Sequence, residues 1–511
     1  MAFPDARTTA VSPPSHIPRD QSRVIWLLLA AAFVAILNET TMGVAIPHLI
    51  HDLEVTAVAA QWLTTAFMLT MAVVIPITGF LLQRLTTRTV FVAAMSLFSA
   101  GTLLALVAPG FAVLVVARVV QASGTAIMMP LLMTTLMTVV PAHSRGRMMG
   151  RVSIVMALAP AIGPTLSGFL LDTFTWRWNF GVVLPIALVA LTVGAKLIRN
   201  VGETTRAPID VLSVILSAFG FGGLVYGLSQ VGAEGASGTA LVIAIVVGVV
   251  ALALFLWRQV RLQRDDDALL DLRVFRYGNF SLSIAQMAVL SFAFFGAITV
   301  LPLYLQDVHG LDALASGLIL LPGSLAMGVA GPLIGRVYDR RGTRILLIPG
   351  AFVAAGTLWM YTTLDARTPV WIIVVVQTLL SIGLALSFTP LFTASLASLP
   401  SRLYSYGSAV LGTIQQVAGA AGVAVMIAVM SAVSTAQGAA TGHFTAGGTQ
   451  AAFLIAAIVS LPIIVGAFFI RKPADEVADT TTPTTRDGAA PDAVAATTPD
   501  TAAHAGQDAT A

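Results

Sequence analysis

Two ionisable residues stand inside long apolar stretches, and they offer the most chemistry. Glu39 follows Asn38 in Leu37-Asn38-Glu39-Thr40-Thr41, and Arg118 stands three residues before Gln121 in Arg118-Val119-Val120-Gln121. A charge in hydrocarbon is costly and is kept where it binds or exchanges something. Apolar surroundings favour the neutral form of a carboxyl and a nearby guanidinium favours the charged form. A carboxyl held between the two changes its proton occupancy when a cation approaches or the arginine withdraws. Helical rise puts both at one depth, Glu39 about 22 Å and Arg118 about 20 Å from the same face. The plainer alternative is a static buried pair that fixes helix packing.

Met129, Met133 and Met137 recur at helical spacing, and Phe292, Phe295, Tyr304, Phe388 and Phe392 add aromatic surface. Such side chains suit a re-packable apolar cavity. Gln286, Gln306, Gln377, Gln415 and Gln416 are polar groups at membrane depth or its edge, and some of them are expected to line it. His48, His51 and Asp52 have no third ligand in view, so no metal site is expected.

Several chemistries are excluded at once. With no cysteine there is no thiol nucleophile and no cysteine-held metal or cluster. The two lysines, Lys196 and Lys472, are followed by Leu197 and Pro473, so neither belongs to a phosphate-binding G-x-x-x-x-G-K-[ST] loop. No G-x-S-x-G elbow or spaced triad is present. A membrane-embedded lipid enzyme would cluster His, Asp or Glu at one depth, where only Glu39 stands clearly inside. The expectation is therefore no enzyme and no cofactor.

The elements that hold these residues follow from composition. Of 511 residues 57% are apolar and 10% charged, and the mean hydropathy is +0.89. That is too little polar surface for a water-soluble globule and predicts an all-α integral membrane protein. Fourteen apolar stretches are long enough to span a bilayer, the first from about Val24 and the last ending at Arg471. Basic residues test the count: 24 of the 27 Lys and Arg fall before the first span, in alternate loops or after the last. The opposite loops hold only Arg177 and Arg367, so both termini are expected in the cytoplasm. Arginines distributed between apolar segments do not make a nucleic-acid surface, whatever the basic pI.

The loop Gly335-Arg336-Val337-Tyr338-Asp339-Arg340-Arg341-Gly342-Thr343-Arg344 repeats Gly79-Phe80-Leu81-Leu82-Gln83-Arg84-Leu85-Thr86-Thr87-Arg88, 256 residues and eight spans earlier. That periodicity predicts two pseudo-symmetric six-helix bundles with a helix pair between them. The segments expected are 1–23 as a cytoplasmic N-terminal piece, 24–199 and 279–471 as the bundles, 210–258 as the pair, and 472–511 as a disordered tail. The tail is rich in Thr, Ala, Pro and Asp and has no core-forming surface.

These loops resemble the signature of the major facilitator superfamily, and the chain resembles its fourteen-helix drug:proton antiporter family. The second copy matches fully. The first has Gln83 where the family usually has Asp and Thr86 where it has Gly, so its helix-end charge network is expected to be weaker or differently built. Gly150, followed after eight residues by Ala159-Pro160-Ala161-Ile162-Gly163-Pro164-Thr165-Leu166-Ser167-Gly168, is similar to the family's antiporter motif, with Ala and Ser at two glycine positions. Physically, Gly-Pro interrupts the helix ladder and small residues let a neighbour approach. Arg118 to Ala126 resembles R-x-x-Q-G-x-G-x-A, with Ala122 in place of the first glycine. Asn38 occupies the family's aspartate position with the acid moved to Glu39, a variant similar to the lincosamide and multidrug exporter branch.

The resemblance implies export of lipophilic or cationic drugs, or related natural products, in exchange for protons by alternating access. The competing readings are an uptake symporter, which the Gly163-Pro164 motif disfavours, and a lipid flippase. The partners implied are a drug-like small molecule, protons and the bilayer, with the chain monomeric. An Arg-to-Lys ratio of 25 to 2 points to a bacterium and hence to its inner membrane.

Overall fold

In a computed structural model the described residues are 19–472 apart from 56, 201–209, 231–237, 266 and 440–442. The expected N-terminal piece 1–23 lies outside them except for its last five residues, and the tail 472–511 except for Lys472. Among the described residues there is no strand, and fourteen helices are long and apolar enough to cross a membrane. They are α1 (Arg19–Asp52), α2 (Ala57–Arg84), α3 (Thr87–Leu106), α4 (Phe111–Val139), α5 (Arg145–Thr173), α6 (Trp178–Leu197) and α7 (Val211–Ser229). The rest are α8 (Gly238–Leu262), α9 (Gly278–Asp307), α10 (Ala313–Arg341), α11 (Arg344–Tyr361), α12 (Val370–Ala397), α13 (Tyr404–Ala436) and α14 (Ala446–Ala467).

Helix ends follow local chemistry. The Asp312 carboxylate accepts from the Ala315 N–H at 2.7 Å and caps α10, and the Thr86 hydroxyl accepts from the Thr89 N–H to cap α3. Gly342, at φ +81°, ends α10 in a conformation that a side chain would strain. Prolines sit inside many of the helices, Pro160 and Pro164 in α5 among them, and α5 continues through both. Neighbouring helices make such interruptions tolerable at membrane depth.

The packing repeats with the sequence. α1 packs on α5 and α6, α2 on α4, and α3 on α4 and α6. Eight helices later α9 packs on α13 and α14, α10 on α12, and α11 on α12 and α14. These are the two pseudo-symmetric bundles. They meet crosswise, α5 against α10 and α2 against α13. Between them in sequence, α7 packs on α8 and also touches both α2 and α13, lying over that seam. α8 leaves Val242, Ile243, Val246 and Val250 exposed, a face suited to lipid.

The helix pair is tied at its base. Arg258 donates to both oxygens of Asp210, at 2.7 and 2.9 Å, and the Ser213 hydroxyl donates to the same carboxylate. These bonds, led by that from Arg258, hold the Asp210 carboxyl below its ordinary 3.8. A carboxyl with a lowered folded value stabilises the fold above its unfolded value, and the gain is lost as pH falls through the folded one. Arg258→Gln should therefore lower thermal stability at pH 7 by about 1 kcal/mol. The gap from wild type should close as the pH is lowered beneath 3.8; a gap that persists there would contradict this.

Candidate functional site

A cavity of about 320 Å³ lies between the two bundles, lined from the middle turns of their helices and within the range of small-molecule sites. Its walls come from α1, α2, α4 and α5 on one side and α9, α12 and α13 on the other. Among its described lining residues Glu39 is the only one with a charged side chain. Around it stand Met71, Met129, Met133 and Met156, the rings of Phe294, Phe295 and Phe392, and the amides of Gln415 and Gln416.

Of the candidates named from sequence, Met129, Met133, Phe295, Phe392, Gln415 and Gln416 reach this cavity. The others have different places. Met137 is fully buried in the core, Phe388 packs edge-on against Phe294, and Phe292 lends its backbone to the tight approach of α13 at Gly422. The Tyr304 hydroxyl donates to the Asp365 carbonyl, Gln286 donates to the Pro462 carbonyl, and Gln377 accepts from Tyr361. Gln306 is exposed. Sequence reasoning missed Met71, Ile75, Met156, Phe294 and Ser408. Helical spacing gives a stripe but not its direction, and only the crosswise meeting of the bundles turns these residues inward.

Glu39 and Arg118 are near enough for their charges to interact, yet among the described residues no salt bridge joins them. The guanidinium is held by neutral groups instead. It donates to the Gln121 Oε1 at 2.6 Å, lies 3.5 Å from the Leu63 carbonyl through Nε, and stacks 4.1 Å from the centre of the Phe67 ring. Arg118 and Gln121 are buried, at 1% and 0% exposure, and neither lines the cavity. Asn38 is equally buried and points away from the cavity, with neither amide atom hydrogen-bonded. The one-residue shift from Asn38 to Glu39, about 100° around α1, is what aims the acid into the cavity.

At the arginine-rich end the two bundles are bonded to each other. The Asp339 carboxylate accepts from the N–H groups of Gly146 and Arg147, at 2.7 and 2.8 Å, capping the start of α5 across the seam. A negative group at a helix N-terminus is favourable for both its free donors and its dipole. At the matching place in the other half Gln83 donates to the Arg402 carbonyl at 2.6 Å, a neutral bond just before α13. Gly335 and Gly79 are the close-approach points: a Cβ on the first would stand 2.1 Å from the Gly146 carbonyl oxygen, and on the second 3.1 Å from Ala409 Cβ. Arg340, Arg341 and Arg344 are exposed. Arg84 lies over the Phe80 ring, and the Arg88 N–H donates to Asn200 at 3.4 Å. Nearer the cavity, Ser153 shares a hydrogen bond with Thr389 and Thr134 with Ser408, both between the halves.

The α5 motif serves two neighbours. Gly150 meets α10, where a Cβ would lie 2.3 Å from the Gly331 carbonyl oxygen, and Gly163 meets Thr40 on α1. Gly168 departs from the close-packing reading: among the described residues a Cβ there would meet nothing within 4 Å, whereas the adjacent Ser167 is buried and donates to the Thr41 carbonyl on α1.

Asp339→Asn keeps one acceptor but loses the charge and the second bond, each charge-assisted bond being worth about 1.5–3 kcal/mol. For the transport expected from the sequence, turnover should fall about tenfold with the substrate KM within about twofold, since Asp339 does not line the cavity. Wild-type turnover in Asp339→Asn, with loss in Gln83→Ala, would show that the other half carries the lock.

The Major Facilitator Superfamily profile matches residues 28–423. The chain is 43% identical over 457 residues to an MFS-type transporter, YcnB, of Bacillus subtilis, covering 89% of this chain and 96% of that one. It is 40% identical over 458 residues to the lincomycin resistance protein LmrB of Listeria monocytogenes, with 88% and 96% covered. It is 30% identical over 410 residues to a multidrug resistance protein B homolog of Mycobacterium tuberculosis, with 79% and 75% covered. Among solved structures, the fold is similar to the human organic anion transporter MFSD10, with TM-score 0.62, 15% identity and 89% and 100% covered. It is also similar to the proton:xylose symporter XylE, with TM-score 0.60, 14% identity and 89% and 96% covered.

Proposed function

Because the chain belongs to the major facilitator superfamily, a family of membrane transporters, we propose that it exports lipophilic cationic drugs in exchange for protons. The observation that carries this is Glu39, the lone charged side chain among the described lining residues of a methionine- and phenylalanine-walled cavity between two bundles. The resistance names of the lincomycin and multidrug relatives support the same substrate class.

The exchange follows from competition. A neutral Glu39 leaves the cavity apolar, while an ionised one offers a single negative site to a cation, so proton and drug occupy it in turn. Arg118, held close by without pairing, biases that choice. The arginine-rich end is cytoplasmic by the distribution of basic residues. The conformation described is then the one closed to the cytoplasm, through Asp339, Ser153–Thr389 and Thr134–Ser408. Rocking the bundles breaks these bonds and turns the same cavity inward to load drug. The path lies within one chain, so a monomer suffices.

Expression in a bacterial host stripped of its own exporters, challenged with lincomycin, ethidium and other lipophilic cations, tests the reading. Resistance that rises with expression and collapses when a protonophore is added is expected. Increased susceptibility would indicate an uptake symporter, and an unchanged panel with altered lipid distribution a flippase; either overturns the proposal.

A further inference from the structure

The bond from Arg118 to Gln121 depends on which way the Gln121 amide faces, and a third residue decides that. The Thr102 hydroxyl on α3 donates to the Phe98 carbonyl one turn back, at 2.7 Å. A carbonyl only accepts, so the hydroxyl hydrogen is spent and toward Gln121 its oxygen can only accept. It does so from Nε2, at 2.8 Å. The amide is thereby oriented with Oε1 toward Arg118, the one orientation in which Gln121 accepts from the guanidinium, at 2.6 Å.

The geometry is built to reach. Gly101, next to Thr102, lets α3 touch α4: a Cβ there would lie 2.5 Å from the Gln121 backbone nitrogen. A short threonine side chain therefore spans the gap. Thr102, Gln121 and Arg118 are all buried, at 0%, 0% and 1% exposure, and none lines the cavity. On the helices packed against α4, the other membrane-depth charge that interacts with Arg118 is Glu39. The remaining ionisable groups on those helices stand near their ends, Asp172 on α5 and His48, His51 and Asp52 on α1 among them.

We infer that Thr102 is a positioning residue for the coupling step, fixing Gln121 so that Arg118 is parked on α2 and α4 and off Glu39. Without the hydroxyl the amide loses its anchor, Arg118 gains freedom to approach the carboxylate, and Glu39 is held in its charged form through steps that require it to take a proton. This rests on the proposed exchange at Glu39. The effect is on the rate of exchange and not on drug contact.

The test uses the full-length protein in proteoliposomes with a pH gradient, and whichever of ethidium and lincomycin wild type moves faster. Thr102→Val, which keeps shape and removes the hydroxyl, should lower the maximal exchange rate about tenfold while KM changes less than about twofold. Thr102→Ser, which restores the hydroxyl, should recover a rate within about twofold of wild type. Thr102→Ala should match the valine variant, which covers the case in which one of them fails to fold. A wild-type rate in either hydroxyl-free variant, or a serine variant as slow as valine, overturns the inference. If Glu39→Gln still releases protons on drug binding, the exchange reading itself has failed; if it does not and Thr102→Val is normal, only the role of Thr102 has.

Discussion

Glu39→Gln should end uphill transport: with a pH gradient across proteoliposomes, drug accumulation falls at least about 100-fold below wild type. Glutamine matches glutamate in size and keeps hydrogen-bonding capacity but neither titrates nor attracts a cation. The substitution also separates function from packing. Were Glu39 the structural partner of Arg118, removing its charge would strand a buried arginine, at a cost of about 3–5 kcal/mol and a visibly lower melting temperature. In the structure Arg118 already has Gln121, the Leu63 carbonyl and the Phe67 ring. The melting temperature should therefore stay within about 2 °C of wild type. A stable variant that still accumulates drug would remove Glu39 from the coupling step, and an unstable one would make it a packing residue.

Gly335→Ala should cost nearly as much, for a steric reason. Its Cβ would stand 2.1 Å from the Gly146 carbonyl oxygen and 3.0 Å from Arg147 Cα, all backbone that cannot turn aside. α5 and α10 must separate, and the capping bonds from Gly146 and Arg147 to Asp339 go with them. Turnover should fall about 100-fold while drug binding changes less than about threefold. Since the chain has no cysteine, a single Ser153→Cys in the same background reports the opening directly. Buried at 6% exposure, it should react with a membrane-impermeant thiol reagent added on the side of the arginine-rich end at least about tenfold faster when Gly335→Ala is present than in the wild-type background, where that end opens only transiently. Gly168→Ala is the contrast, expected to turn over within about twofold of wild type because its Cβ meets no described residue within 4 Å. Equal effects at both glycines would mean that a loss of backbone freedom on replacing glycine, and not contact, explains the loss.

The fold was legible because bilayer physics leaves few choices. Apolar length and arginine spacing specify fourteen helices, and the two loops at Gly79 and Gly335 specify the repeat, which the packing follows pair by pair. Individual site residues were legible only where one side chain is chemically unlike its surroundings, as Glu39 and Arg118 are. The relation between them was not. Depth along two helices put them level, but only the packed structure shows that Arg118 turns to α2 and Gln121. Cavity walls were half legible for the same reason: Met129 and Met133 reach it while Met137, one turn further along the stripe, is sealed in the core. The motif at Gly168 shows the converse, a glycine that fits a pattern and yet has no described residue within 4 Å of where a Cβ would stand. Gln83 and Asp339 occupy equivalent places, and a neutral donor at one and a charged acceptor at the other make an asymmetric lock whose partners, Arg402 and the start of α5, lie 319 and 193 residues away.

The central claim is that proton and drug compete for Glu39, and proton release on drug binding measures it most directly. Purified wild-type protein in weakly buffered detergent solution should release protons when lincomycin or ethidium is added at a pH between about 5 and 9, and Glu39→Gln should release none under the same conditions. Release from Glu39→Gln equal to that from wild type, or drug binding to wild type with no release anywhere in that range, would contradict the account.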